Sequence, residues 1–284
     1  PGVQGGLVHR LVSANLGLSE PVLVASESVA PQGPGVAAVD SGFVVVWSQR
    51  NGPALRSRVV ASRHGANGAV LRAGISVSGA SDLRDHTQPS VASSRGHWLV
   101  GWVDRTVGAG PWGQIHARRF ESLGSAVDGS TLELHTGQAS DVQVARLYNG
   151  DYGVGWTARE SEPAGVLMTQ RIARFGTALL ASPGQFAAQE QPASGPLVLA
   201  TGGDSLGLAY QDGSGISLLG LAETEGPEAE TLRSLLAQAD QGDLAVTATT
   251  RGLWFVWSER FVDSRRLHTY LLPVRDSALQ SGRF

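Results

Sequence analysis

The chain has 284 residues, 42% of them apolar and 17% charged, with 37 Gly and 13 Pro; one large all-β domain can reach this size, and the composition excludes a disordered chain. All 22 positive charges are Arg, and 25 acids bring the formal net charge to −3, which excludes a general nucleic-acid surface because backbone binding needs a positive surplus. The absence of Cys excludes disulfides, thiolate metal sites and Cys nucleophiles.

The longest apolar runs, residues 42–47 and 253–257, fall far short of the ~20 residues of a membrane-spanning helix, so no membrane insertion is expected. Residue 1 is Pro and no leader opens the sequence. A removed leader or a longer parent chain is the expectation drawn from that.

In chain order, Leu7-Val8-His9-Arg10-Leu11 and Pro21-Val22-Leu23-Val24 read as two strands of a partial unit. From about residue 31 a longer unit recurs. An aromatic residue closes a short apolar run at Trp47, Trp102, Trp156, Tyr210 and Trp257, with spacings of 55, 54, 54 and 47 residues. Upstream of each anchor lies a small apolar pair: Val36-Ala37, Val91-Ala92, Val144-Ala145, Leu199-Ala200 and Val246-Thr247. Turn signals separate pair from anchor, as in Asp40-Ser41-Gly42, Ser94-Arg95-Gly96 and Asn149-Gly150, so each unit opens on a hairpin of strands a and b. A variable loop, a third strand c, a Gly-containing turn and a fourth strand d follow. Residues 227–239 have the composition of a helix, but the register of the repeat makes their second half a strand.

Strand b is nearly continuously apolar, as in Phe43-Val44-Val45-Val46-Trp47, so both of its faces must be covered. Radial four-stranded sheets meet that need. The expected fold is a β-propeller of four-stranded antiparallel blades, a single domain over residues 1–284. It comprises a partial blade (1–30) and repeats at about 31–80, 81–137, 138–190, 191–240 and 241–284, with six blades in the parent protein.

These units resemble bacterial secreted or surface propellers built from tandem Trp-anchored repeats of about 50 residues. The resemblance implies an extracellular, cell-surface or periplasmic setting and says little about activity, since propellers host unrelated functions. Sialidase-type propellers carry a Ser-x-Asp-x-Gly-x-x-Trp box, which no unit here shows.

A polar trio follows four anchors and ends in Arg50, Arg105, Arg159 and Arg260. These Arg read as hairpin closures, with a ring of anion-binding guanidiniums as the alternative. Arg10, Arg58, Arg119 and Arg171 share positions on strand c and are expected to bridge blades. No zinc, calcium, nucleotide or nucleophile-elbow motif occurs, so neither metal nor cofactor is expected.

Residues that break the repeat carry more information. The b–c loop of the second full unit (106–113) adds Trp112, and the loop entering that unit holds Asp82, Arg84, Asp85 and His86. Trp112, Arg105, Asp85 and His86 are therefore the candidate ligand-binding residues, with Trp112 able to stack on a sugar, anchor a partner or cap the core. The primary expectation is a non-catalytic recognition or scaffold module that binds a protein or glycan through one propeller face. The alternatives are a structural subunit that self-associates or takes a complementing strand from another chain, and a glycoside hydrolase-like or lyase-like propeller. The last needs two carboxylates, and inner strands such as Val36-Ala37-Ala38 and Val91-Ala92-Ser93 read as short of acids.

Overall fold

The computed structural model describes residues 6–13, 15–26, 29–50, 56–79, 84–107, 110, 112–147, 149–159, 166–176, 184–186, 197–202, 205–212, 215–222, 229–234, 240–249, 252–261 and 264–272, with backbone only from 184 onward. Asp82 and the side chains of Tyr210, Trp257 and Arg260 lie outside the described residues. No helix among these residues is long and apolar enough to cross a membrane. The chain divides into two compact units, Pro1–Val142 and Gln143–Phe284.

In the first unit, β1 (Leu7–His9) and β2 (Val22–Ala25) form a two-stranded antiparallel sheet. β3 (Gln32–Val39), β4 (Gly42–Arg50), β5 (Ser57–Gly65) and β6 (Val70–Ser76) pair consecutively into a four-stranded sheet. β7 (Arg84–Ser94), β8 (His97–Thr106), β9 (Gly113–Glu121) and β10 (Leu132–Arg146) follow in the same order. The β7–β8 hairpin turns on Arg95 and Gly96 alone, with φ of 42° and 78°; two left-handed residues match the twist of the flanking strands.

Apolar continuity in strand b becomes burial on both faces: the central residues of β4 and β8 are all buried. One core cluster joins Val44, Val46, Val59 and Ala61 to Trp98, Val100, Trp102 and Phe120, so the sheet of β3–β6 packs face to face with β7–β9. A second joins Val45, Trp47 and Val60 to Ala25, setting the β1–β2 pair against the other face of the first sheet. Each large apolar side chain sealed in this way contributes about 1.5–3 kcal/mol. β3 lies beside β7, as first strands do when sheets are set around an axis.

In the second unit, β11 (Tyr152–Arg159), β12 (Val166–Ile172) and β13 (Gly184–Phe186) pair consecutively. β14 (Leu197–Gly202), β15 (Ser205–Asp212), β16 (Gly215–Ala222) and β17 (Ala229–Ser234) form a four-stranded sheet, and β18 (Asp240–Thr249), β19 (Gly252–Phe261) and β20 (Ser264–Leu272) a three-stranded one. β14 lies beside β18. Residues 229–234 are strand, so pairing with β16 overrides their helical composition.

Three details differ from the sequence reading. β10 does not break near residue 137 and runs for 15 residues. Its register with β9 shifts between His135 and Ala139, where it ceases to be the last strand of one repeat and becomes the first of the next. For two of the strand c Arg, the ion pairs lie within their own repeats. Arg119 makes a buried bidentate pair with Asp128 in the turn after its own strand, 2.5 Å at the closest, and Arg171 reaches Asp151 beside its partner strand at 3.5 Å.

Last, Asn149-Gly150-Asp151-Tyr152-Gly153-Val154-Gly155-Trp156 keeps every fixed position of the sialidase-type box except its first, where Asn149 stands for Ser. Asp151 accepts bonds from Asn149 Nδ2 (2.8 Å) and the Arg174 N–H (3.1 Å), which closes the turn over the buried Trp156.

Candidate functional site

The start of β7, the end of β8 and the start of β9 meet at one end of the packed sheets. Antiparallel register places His86 opposite Asp104, Asp104 opposite Gln114, and Trp102 opposite His116. Alternation then puts all five side chains on the face that packs against the first sheet. Asp104 is the hub. Its carboxylate lies 3.3 Å from Arg84 Nη1, 3.5 Å from His116 Nε2 and 3.7 Å from His86 Nε2. His116 stacks on Trp102 at 5.9 Å between ring centroids, and His86 meets the same indole edge-on at 6.4 Å. Arg84 also donates to Gln114 Oε1.

The neighbouring sheet supplies the rest. Ser57 N–H donates to Asp85 Oδ1 at 2.8 Å, with Arg50 Nη2 at 3.8 Å from the same oxygen. Ser48 Oγ donates to the His86 carbonyl at 3.1 Å. Arg50 thus reaches an acid of the next repeat rather than closing its own hairpin. The carboxyl and imidazole groups are enclosed, with Asp85 4% and His86 5% exposed, while Arg50 and Arg84 keep 43% and 36% of their side-chain surface. Charge at the rim and acid within is a layout suited to a polar ligand.

Arg105 stands opposite Asp85 in the β7–β8 ladder and is half-buried, as is Trp112 just before β9. The β8–β9 loop returns tightly. A Cβ on Gly113 would sit 2.5 Å from the Asp104 carbonyl oxygen, so only Gly lets β9 start directly against the site.

Burial pushes both imidazoles below their ordinary value of 6.5, against a smaller upward pull from Asp104; desolvation disfavours the charged form. Near neutral pH both rings are therefore uncharged and each carries one donor and one acceptor nitrogen. His86 Nδ1, Asp104 Oδ1 and His116 Nε2 are buried without a hydrogen-bond partner inside the protein. Such atoms are rare and costly unless another molecule completes them. Among the described residues no group of three or more His, Asp or Glu is arranged to hold a metal ion.

The structure brings Asp85, His86, Arg105 and Trp112 to the same end of the sheets and adds Asp104, His116 and Arg84, of which the sequence reading had singled out neither Asp104 nor His116. Their signal was the alternation Trp102/Asp104 on one strand and Gln114/His116 on the next, legible only once the register is known. The inner strands are also richer in acids than the sequence reading held. β7 begins at Arg84 and β10 runs through Asp141, so Asp85 and Asp141 belong to strands. A bulge between Thr87 and Ser90 had hidden this by breaking the period upstream of Val91-Ala92.

No protein-family model and no curated protein matches the chain. Solved structures do, at low identity. A mutant sialidase of Trypanosoma rangeli displaying trans-sialidase activity aligns with a TM-score of 0.59 and 12% identity over 94% of this chain and 49% of that one. An exo-β-1,3-galactanase of Phanerochaete chrysosporium, solved with β-1,3-galactotriose, gives 0.51 and 11% over 85% and 60%. A GH43_1 enzyme of Xanthomonas citri complexed with xylose gives 0.51 and 10% over 94% and 91%. The chain spans about half to three fifths of the sialidase and galactanase chains. The fold is all-β and antiparallel, and its neighbours are β-propellers. They are also glycoside hydrolases and sialidases, and this overturns the primary expectation of a non-catalytic recognition or scaffold module.

Proposed function

We propose that this chain is a carbohydrate-active propeller enzyme that cleaves glycosidic bonds, with its site at the β7, β8 and β9 end of the first unit. In this reading the repeats are blades of four strands, six in the parent protein, and the loops and strand ends at one face take the sugar. The observation that carries the proposal is the enclosed Asp104, flanked by two neutral imidazoles and an Arg, with buried polar atoms that a saccharide hydroxyl would complete. The enzymes of known structure that share the fold, two of them solved with sugars bound, support the substrate class.

Asp104 is the proton-handling group, and the sheet of His86, Trp102 and His116 excludes water around it, which strengthens each polar contact. Arg84 and Arg50 offer bidentate donors to hydroxyl or carboxylate groups of the sugar. Half-buried Trp112 and Arg105 complete the rim over the buried Asp85, Trp112 by stacking on a pyranose face.

The test is hydrolysis of a panel of aryl glycosides and oligosaccharides by the chain and by Asp104→Asn. Removing a proton-transferring carboxylate is expected to lower kcat/KM by about 10²–10⁴. A wild type inactive on the whole panel, or an Asp104→Asn variant of full activity, would refute the assignment.

A further inference from the structure

Three first strands of the repeats share a local distortion. Gly33 on β3, Gln88 on β7 and Asp141 on β10 have φ of 55°, 52° and 57°, and their spacings of 55 and 53 residues are the repeat period. In β3 and β7 two residues, Gly33-Pro34 and Gln88-Pro89, stand opposite one residue of the neighbouring strand, Trp47 or Trp102. This is a β-bulge, a device that bends a strand and re-aims its side chains, often beside active sites.

The left-handed region suits Gly. A side chain there is strained, least for Asp and Asn and more for a residue such as Gln. β3 takes the unstrained choice, whereas β7 and β10 do not, and the structural need alone would be met by Gly in all three. Both departing side chains reach the surface, Gln88 exposed and Asp141 half-buried. They are also organised. Gln88 Oε1 accepts the Asp141 N–H at 3.2 Å, and the buried Ser140 donates its hydroxyl to Asp141 Oδ2 at 2.5 Å. Gln88 lies two residues along β7 from His86, at the same end of the strand as the site above.

We infer that Asp141 is a saccharide-contacting carboxylate of the site, oriented by Ser140, and that Gln88 is the positioning residue that holds the Asp141 backbone in its bulge. The inference rests on the carbohydrate-active reading and supplies that reading with a carboxylate on the next first strand of the ring of repeats. It also makes a claim independent of activity: these side chains are kept against stability.

The experiment compares Asp141→Gly, Asp141→Asn and Gln88→Gly with the wild type in thermal melts and in kcat/KM on whichever glycoside of the panel is cleaved. Asp141→Gly is made in a Ser140→Ala background, so that no buried hydroxyl loses its acceptor; it keeps the N–H that Gln88 accepts and removes the strain, so its Tm is expected to rise by roughly 2–4 °C over Ser140→Ala alone. Both Asp141 variants are expected to lose at least 100-fold in kcat/KM, and Gln88→Gly to lose activity. A fall in Tm from Ser140→Ala to the double variant would show a structural residue and overturn the inference, as would activity of Asp141→Asn within threefold of wild type. If the wild type cleaves nothing on the panel, the carbohydrate reading fails by itself, and the direction of the Tm change still decides whether Asp141 is held against stability.

Discussion

The two packed sheets of the first unit end in opposite ways. At the hairpin end, the guanidinium of Arg63, only 2% exposed, donates to the carbonyls of Val39 (2.6 Å), Phe43 (3.1 Å), Ser122 (3.2 Å) and His64. A buried cation without a carboxylate partner is made tolerable by saturating its donors with strand-end carbonyls that would themselves be orphaned. At the other end Asp104 is less deeply enclosed, with 12% of its side chain exposed, and it and the two imidazoles beside it each retain an unpartnered polar atom. The hairpin end also holds such atoms, His64 Nε2, both ring nitrogens of His9 and Ser94 Oγ; the two rings pack there, His64 stacked on Phe43 at 5.0 Å and set edge-on to His9 at 4.7 Å. Arg63 serves the frame, and its polar groups are satisfied there. Those around Asp104 are gathered and left incomplete, as a site that must accept a ligand requires.

The sharpest way to break this comparison is Arg63→Met. It removes the donors of four carbonyls, two of them buried, and is expected to cost about 3–5 kcal/mol in chemical denaturation, whereas Asp104→Asn is expected to stay within about 1 kcal/mol and to lose activity instead. Comparable stability losses at the two positions would erase the distinction.

A smaller effect follows from the imidazoles. Burial holds His64, His86 and His116 below the ordinary value of 6.5, so the unfolded chain binds protons more readily than the folded one. Their contribution to stability is complete above about pH 6.5 and is lost as pH falls through that value towards the lowered folded values. Each imidazole contributes at most about 1.4 kcal/mol per pH unit. Denaturant midpoints measured from pH 7.5 to 5 should fall, and His86→Asn with His116→Asn should flatten the fall; an unchanged slope would place that dependence elsewhere.

The smallest effect is expected at Trp112. Trp112→Ala should change stability by about 1 kcal/mol or less and raise KM more than it lowers kcat, because a stacking residue at the rim binds ground and transition states alike. A loss of several kcal/mol would make Trp112 a cap on the core instead.

Much of the frame was legible in the residues because burial on both faces leaves a continuous apolar run, and that run returns at near-constant spacing along the sequence. Trp47, Trp102 and Trp156 needed no coordinates to be found, nor did the turns before them. The site was legible only in part. Asp85, His86 and Trp112 stood out because they break the repeat, but Asp104 and His116 did not, since an acid or an imidazole at a strand end looks like ordinary solvated punctuation. Their meeting depends on register between strands, which local sequence does not encode across a variable loop.

The bulges hid more still. An extra residue at Gln88-Pro89 shifts the period, so the sequence reading ended the strand too soon and left Asp85 in a loop. The arrangement of apolar and turn residues determined by itself that the chain would form paired strands in units of about 50 residues, because period, pitch and turn chemistry are local properties. Which acids share a face, which donors find carbonyls and which residues carry left-handed backbone were decided only when the sheets packed, because each of those depends on a neighbour many residues away.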